Sequence, residues 1–180
     1  MKEELRKEYL GIRKNIIDKD KKSLSIFKKI VKDKDYINSR VIAIYKSLDN
    51  EVSTNKLIEY SLSIGKIAVV PITNKNDMNF YKIDNNTKYT KSNFGVDEPI
   101  SNEIYTNIDL FIIPGVVFGR DLNRIGFGKG YYDRYLENNT GIKIGICFEE
   151  QVVDTINNST NDIKMNKIIT DKSIYYDKIK

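Results

Sequence analysis

Histidine is absent from this chain, cysteine occurs once and proline three times among 180 residues. Without histidine there is no Ser-His or Cys-His nucleophile pair and no His-ligated zinc. The single cysteine, Cys147, lies in the apolar stretch IGICF and has no intrachain partner. It reads as an inert, buried strand thiol rather than a nucleophile. No apolar run approaches the length of a membrane span, and the opening MKEELRKEY lacks the apolar stretch of a secretory signal. The expectation is a cytoplasmic chain without a membrane partner. Chemistry is left to Lys, Arg, Asp, Glu, Tyr, backbone amides or a hard cation.

What is present is ordinary for a globular chain: 40% hydrophobic and 31% charged residues. That composition and length suit one domain, residues 1–180, with a sizeable core. The net charge is +5. Two readings of it stand, a lysine-rich solvated surface or an anionic partner such as nucleic acid or a phosphorylated ligand. The lysines are spread evenly, which favours the first and speaks against nucleic acid.

Residues 2–17 predict an amphipathic helix, with Leu5, Tyr9, Ile12 and Ile16 on one stripe. Lys2, Arg6 and Arg13 fall within about 40° of one another beside that stripe. A second helix is expected over 21–32, buried through Leu24, Phe27, Ile30 and Val31. RVIAIY (40–45) reads as a strand. After the loop SLDNEVS, Ser53 is placed to cap a helix that ends at Gly65. Strands follow at 66–71 and 78–83, and residues 84–103 are polar and turn-rich. IDLFIIPG (108–115) has the continuous apolar character of a strand buried on both faces. A helix from YYDRYLENN, a strand at 143–148, a short helix over 151–156 and the strands KIIT and SIYY complete the chain. Alternating strands and helices specify an α/β fold: a single domain with a central, mostly parallel sheet flanked by helices, preceded by an N-terminal helical pair.

The stretch RIGFGKGYYDRYL (124–136) joins that buried strand to a helix. Glycine has the largest backbone entropy cost on folding, so Gly126, Gly128 and Gly130 need a backbone reason. One is a structural strand-to-helix turn. The other is close approach of backbone amides to an anion beyond the strand ends, aided by Lys129 and Arg124. The pattern is neither a Gly-Lys-Ser/Thr phosphate loop nor GxGxxG, because Tyr131 stands where the third glycine of the latter would fall.

PGVVFGRDLNRIGFGKGYYDRYL, together with KEELR at the start, IYKSLDNEVST, the FEEQ segment and NDIKMNKIIT, resembles the 5-formyltetrahydrofolate cyclo-ligase family over nearly the whole chain. The resemblance implies an ATP-dependent ligase that forms a C–N bond. It would close 5-formyltetrahydrofolate to 5,10-methenyltetrahydrofolate, with release of ADP and phosphate and with Mg2+ as cofactor. By the same resemblance, ATP contacts fall on Lys2, Arg6 and the run Arg124, Ile125, Gly126, Phe127, Gly128, Lys129, Gly130, Tyr131 and Tyr132. Lys129 and Arg124 carry the catalytic charges. Folate contacts fall on Lys46, Glu51, Phe94 and Tyr131, and metal ligands on Asp133 and Asp162. Partners would be these small molecules, the protein being a monomer or weak homodimer.

Each position has a plainer reading: a solvated helix face for Lys2 and Arg6, a first-turn carboxylate for Asp133, a turn residue for Asp162. Tyr131 and Tyr132 read equally as core aromatics, and Glu51 as a helix-start carboxylate. The chain also departs from the family at four positions. Asn161 and Asn166 stand where many members carry His and Asp, Phe127 where many carry Tyr or Arg, and Ile125 where Leu is usual. The two asparagines point to the alternative, a non-catalytic folate- or nucleotide-binding protein on the same scaffold.

Overall fold

In the computed structural model, which describes residues 1–157 and 162–177, helices α1 (Lys2–Lys14), α2 (Lys19–Lys32) and α3 (Lys34–Ile37) precede the first strand, β1 (Val41–Ile44). Helix α4 (Asn55–Ser63) leads to β2 (Ile67–Thr73), β3 (Met78–Ile83) and the short strands β4 (Tyr89–Lys91), β5 (Asp97–Pro99) and β6 (Ile104–Tyr105). Then come β7 (Leu110–Ile113), β8 (Val117–Gly119), β9 (Arg124–Ile125), α5 (Tyr131–Leu136) and β10 (Ile142–Ile146). The short strands β11 (Val152–Val153), β12 (Lys167–Ile169) and β13 (Ile174–Tyr176) end the fold.

The main sheet runs β13-β12-β10-β7-β1-β2-β3-β6. Its five central strands, from β12 to β2, are parallel. Antiparallel strands β13, β3 and β6 close the two sides. Numbered in chain order, the parallel strands stand 2-1-3-4-5, so the winding reverses between β1 and β7. That reversal is where open α/β sheets bind ligands, beyond the carboxyl ends of the strands.

The apolar runs account for the central strands. All four residues of β1 and of β7 are buried. Ile42, Ile44, Leu110 and Ile112 face one core, with Ile26, Ile30 and Leu57 from the helices. Val41, Ala43, Phe111 and Ile113 face the other, against Leu136 and the tyrosines of α5. Helix α1 lays Leu5, Tyr9 and Leu10 on Val116, Val117 and Ile125.

Several boundaries differ from the sequence reading. Helix α1 stops at Lys14, and Ile16 reaches the core from the following loop. Thr54, not Ser53, is the N-cap residue of α4, and its hydroxyl donates to the Tyr45 carbonyl at 2.7 Å instead of capping the helix. The helix expected over 151–156 is instead a 3-10 turn at Glu149–Gln151 followed by β11. There Gln151 donates to the carbonyls of Gly115 (3.1 Å) and Val116 (3.0 Å), tying the turn to β7's exit. The turn-rich 84–103 segment contains a β4–β5 ribbon.

Candidate active site

Beyond the carboxyl ends of β1, β2 and β7 lies a cleft of about 550 Å³, within the few hundred to about 1,000 Å³ usual for small-molecule sites. The exit of β1 supplies Tyr45 and Lys46, and the exit of β7 supplies Pro114. The remaining walls come from α1, the 48–51 turn, the β4–β5 ribbon, the glycine stretch and residue 162.

One end is cationic. Docking of α1 turns Lys2 and Arg6 into the cleft, where Arg6 Nε donates to the Gly126 carbonyl at 2.7 Å. Arg6 also pairs with Glu3, and Lys2 pairs with Asp162. Arg124 donates through Nε to the Pro114 carbonyl at 2.6 Å, and its guanidinium lies 5.2 Å from the centre of the Tyr132 ring. Burial pulls Arg124 below the usual arginine range, opposed by Asp133, Tyr132 and Asp162. The glycine stretch bends sharply here: φ is +99° at Gly128 and +71° at Gly130, a region L side chains avoid. Gly130 then opens α5, which is only six residues long. So short a helix offers little dipole, and the positive character of this end comes from the glycine loop's backbone and these side chains.

Asp133 Oδ1 accepts the Ile163 N–H at 3.2 Å, which holds residues 162–163 beside α5. Both Asp133 and Asp162 border the cleft. Among the described residues no three His, Cys, Asp or Glu side chains cluster as a closed metal cage. Two carboxylates bordering a cationic cleft, one of them paired with Lys2, match the way Mg2+ is usually held when substrate phosphates and water supply the remaining oxygens. The donor set fits that ion.

The other end is aromatic and acidic. Glu51 is buried, and its Oε1 accepts the Leu48 N–H at 2.7 Å. Burial raises its carboxyl above the ordinary 4.5, opposed by the Leu48 hydrogen bond and by Arg13. Lys46 lies 4.5 Å over the Tyr89 ring. Phe94, 60% exposed, stands opposite Lys129, whose ammonium is 5.8 Å from that ring centre. Tyr132 sits between the two ends, its phenol raised by burial and acted on by both Arg124 and Glu51. Tyr131 also lines the cleft and donates its hydroxyl to the Asn74 carbonyl at 2.8 Å.

Every residue singled out from the sequence for ATP, folate or metal contact lines this one cleft. Two do so with qualification. Ile125 packs its side chain into the core at 2% exposure, so only its backbone serves the cleft. Phe127 stands 5.3 Å from the Arg13 guanidinium. Asn161 lies outside the described residues. Asn166 is away from the cleft, where its Oδ1 accepts the Lys143 N–H at 2.8 Å and ties β12 to β10. Cys147 is buried and its thiol is pushed well up by burial.

Sequence reasoning missed two arginines. Arg134 donates to the carbonyls of Lys129 (2.8 Å) and Asn76 (3.2 Å), clamping the glycine stretch to the β2–β3 turn. Arg13, 4% exposed, stands behind Glu51. Its place on the helical wheel with Lys2 and Arg6 was the available signal.

Fold and site together define a doubly wound α/β protein with a two-ended small-molecule cleft at its switch point. Residues 1–171 match the model of the 5-formyltetrahydrofolate cyclo-ligase family. The chain is 27% identical to mouse 5-formyltetrahydrofolate cyclo-ligase, with 85% of this chain and 84% of that protein covered. It superposes on the 5,10-methenyltetrahydrofolate synthetase of Aquifex aeolicus with a TM-score of 0.86 at 28% identity, covering 97% of this chain and 92% of the other. The Mycoplasma pneumoniae 5,10-methenyltetrahydrofolate synthetase gives a TM-score of 0.77 at 30% identity, covering 94% and 98%. The chain belongs to the 5-formyltetrahydrofolate cyclo-ligase family.

Proposed function

We propose that this protein closes 5-formyltetrahydrofolate to 5,10-methenyltetrahydrofolate with ATP and Mg2+, through a phosphorylated formyl intermediate. The observation that carries the reading is the cleft itself. Cations and two carboxylates at one end meet a buried glutamate and the exposed Phe94 at the other, within a volume that holds reacting groups together.

The chemistry suits a chain without histidine. A formyl oxygen is a poor leaving group until phosphorylated. Its attack on the γ-phosphorus breaks the bond to ADP; N10 then attacks the formyl carbon and gives up its proton, and the C–O bond breaks to release phosphate. Such transfer depends on positioning and charge neutralisation more than on a side-chain nucleophile. Lys2, Arg6, Arg124 and Lys129 supply the positive charge for ATP, with the backbone of 124–132 around its phosphates. Asp133 and Asp162 would hold Mg2+, which would neutralise phosphate charge when bound. Glu51 takes the pterin's N–H donors, Phe94 and Tyr131 flank its ring, and Lys46 lies at the same end.

Of the two asparagines that suggested a binding protein, Asn166 stands away from the cleft and ties β12 to β10. The test is spectrophotometric. Purified protein with ATP, Mg2+ and 5-formyltetrahydrofolate is expected to generate the methenyl chromophore, and a chelator should abolish it. Lys129→Ala should lower kcat/KM for ATP by roughly thirtyfold, the effect of losing about 2 kcal/mol of charged hydrogen bonding. Folate binding without chromophore would refute the proposal.

A further inference from the structure

Arg13 is buried on α1 yet does not line the cleft. Its Nη1 stands 4.0 Å from Glu51 Oε2 and 3.5 Å from the Gly115 carbonyl, and its guanidinium lies 5.3 Å from the centre of the Phe127 ring. Its Nε is buried without a hydrogen-bond partner among the described residues. Stability does not explain such a side chain. Desolvating a guanidinium costs several kcal/mol, and a buried ion pair is often replaced by apolar residues at no loss. The charge must be useful where it stands, and what stands before it is Glu51.

We propose that Arg13 is a positioning residue that keeps Glu51 an anionic, acceptor-only carboxylate facing the cleft. This rests on the reading of Glu51 as the folate contact. The groups that face Glu51 are few. From the 48–51 turn comes the Leu48 N–H, from β1's exit the Tyr45 hydroxyl, from α5 the Tyr132 hydroxyl, and from α1 Arg13. Both phenols are raised by burial and stay neutral at physiological pH. Arg13 is therefore the one cation among these groups. Burial pushes the Glu51 carboxyl up, towards protonation, and Arg13 opposes it.

The protonation state decides what Glu51 recognises. An ionised carboxylate only accepts hydrogen bonds, and with Oε1 held by Leu48, Oε2 remains for a ligand donor. A fused aminopyrimidinone ring presents N–H donors at that edge. A protonated Glu51 would set its own O–H donor against them. Arg13 thus acts on the folate through Glu51, without touching it.

The experiment is steady-state kinetics across pH for the wild type, Arg13→Met, Arg13→Lys and Glu51→Gln, with thermal melts to confirm folding. Methionine suits the apolar Phe127 side of the site, so the fold should survive. At mildly acid pH we expect Arg13→Met to raise KM for folate about tenfold, the consequence of about 1.4 kcal/mol spent deprotonating Glu51 before it can accept the ligand's hydrogen bonds. KM for ATP should not change. The deficit should close as pH rises, and Arg13→Lys, which keeps the charge, should largely restore the wild-type profile. A loss equal at all pH values, or shared by both substrates, would show a structural role and overturn the inference. Carboxyl 13C NMR of Glu51, assigned by its absence in Glu51→Gln, gives a second readout that does not need turnover. Its midpoint should rise in Arg13→Met and fall back in Arg13→Lys; an unmoved midpoint refutes the inference. Glu51→Gln separates the two levels. If it leaves KM for folate unchanged, the assignment of Glu51 to folate fails. If it raises that KM while Arg13→Met shows no pH dependence, only the role of Arg13 fails.

Discussion

At the scale of one residue, Glu51 combines the folate contact proposed for it with a stability signature. Its carboxyl is raised above 4.5 because burial disfavours the charged form more than Leu48 and Arg13 favour it. Between the unfolded and the folded pKa the native state binds more protons than the unfolded chain, so stability falls as pH rises through that window. Below the window and above it the contribution is flat. We expect the unfolding free energy of the wild type minus that of Glu51→Gln to decline as pH is raised from 4.5, measured by urea melts at successive pH values. A difference that stays level or increases would show that Glu51 is not desolvated as described. Arg13 shows why such residues are hard to find in a sequence. Its type and helical position suggest a solvated face, and only the docking of α1 reveals it as buried.

The glycine stretch is the element on which the site depends. At Gly128 φ is +99°, and an added Cβ would lie 3.3 Å from the Arg6 guanidinium carbon. Gly128→Ala should therefore lose about 1–2 kcal/mol through backbone strain, a fall in Tm of roughly 2–8 °C. KM for ATP should rise, because Arg6 is displaced along with the loop. Calorimetry and initial rates check this; an alanine variant with wild-type Tm would contradict the strained geometry. The regular elements were legible where one local force dominates. β3 matches its expected span, residues 78–83, and β1 and β7 lie within the apolar runs that announced them. The failures have tertiary causes. Residues 149–153 form a 3-10 turn and short strand because Gln151 caps carbonyls of residues 115 and 116, a pairing no local pattern encodes. The start of α4 falls one residue later than expected, at Thr54, whose hydroxyl is engaged by the Tyr45 carbonyl nine residues before it.

Over the whole molecule, a reversal in winding between β1 and β7 opens one cleft, and segments spread from residue 2 to residue 162 converge on it. Sequence pattern specified the α/β class, while the residues that line the cleft were gathered through family resemblance, since Asp162 or Phe94 has no distinguishing local signature. The structure adds their convergence: a cationic end and an aromatic, acidic end share one space, with Tyr132 between. The central claim is that this convergence couples the two substrates chemically. It is tested most directly by measuring ADP released and methenyl product formed in the same reaction, with wild-type protein, ATP, Mg2+ and 5-formyltetrahydrofolate. The account requires equal amounts of the two, and neither in the absence of the other substrate. ADP released without methenyl product, or methenyl product formed without ATP, would contradict it.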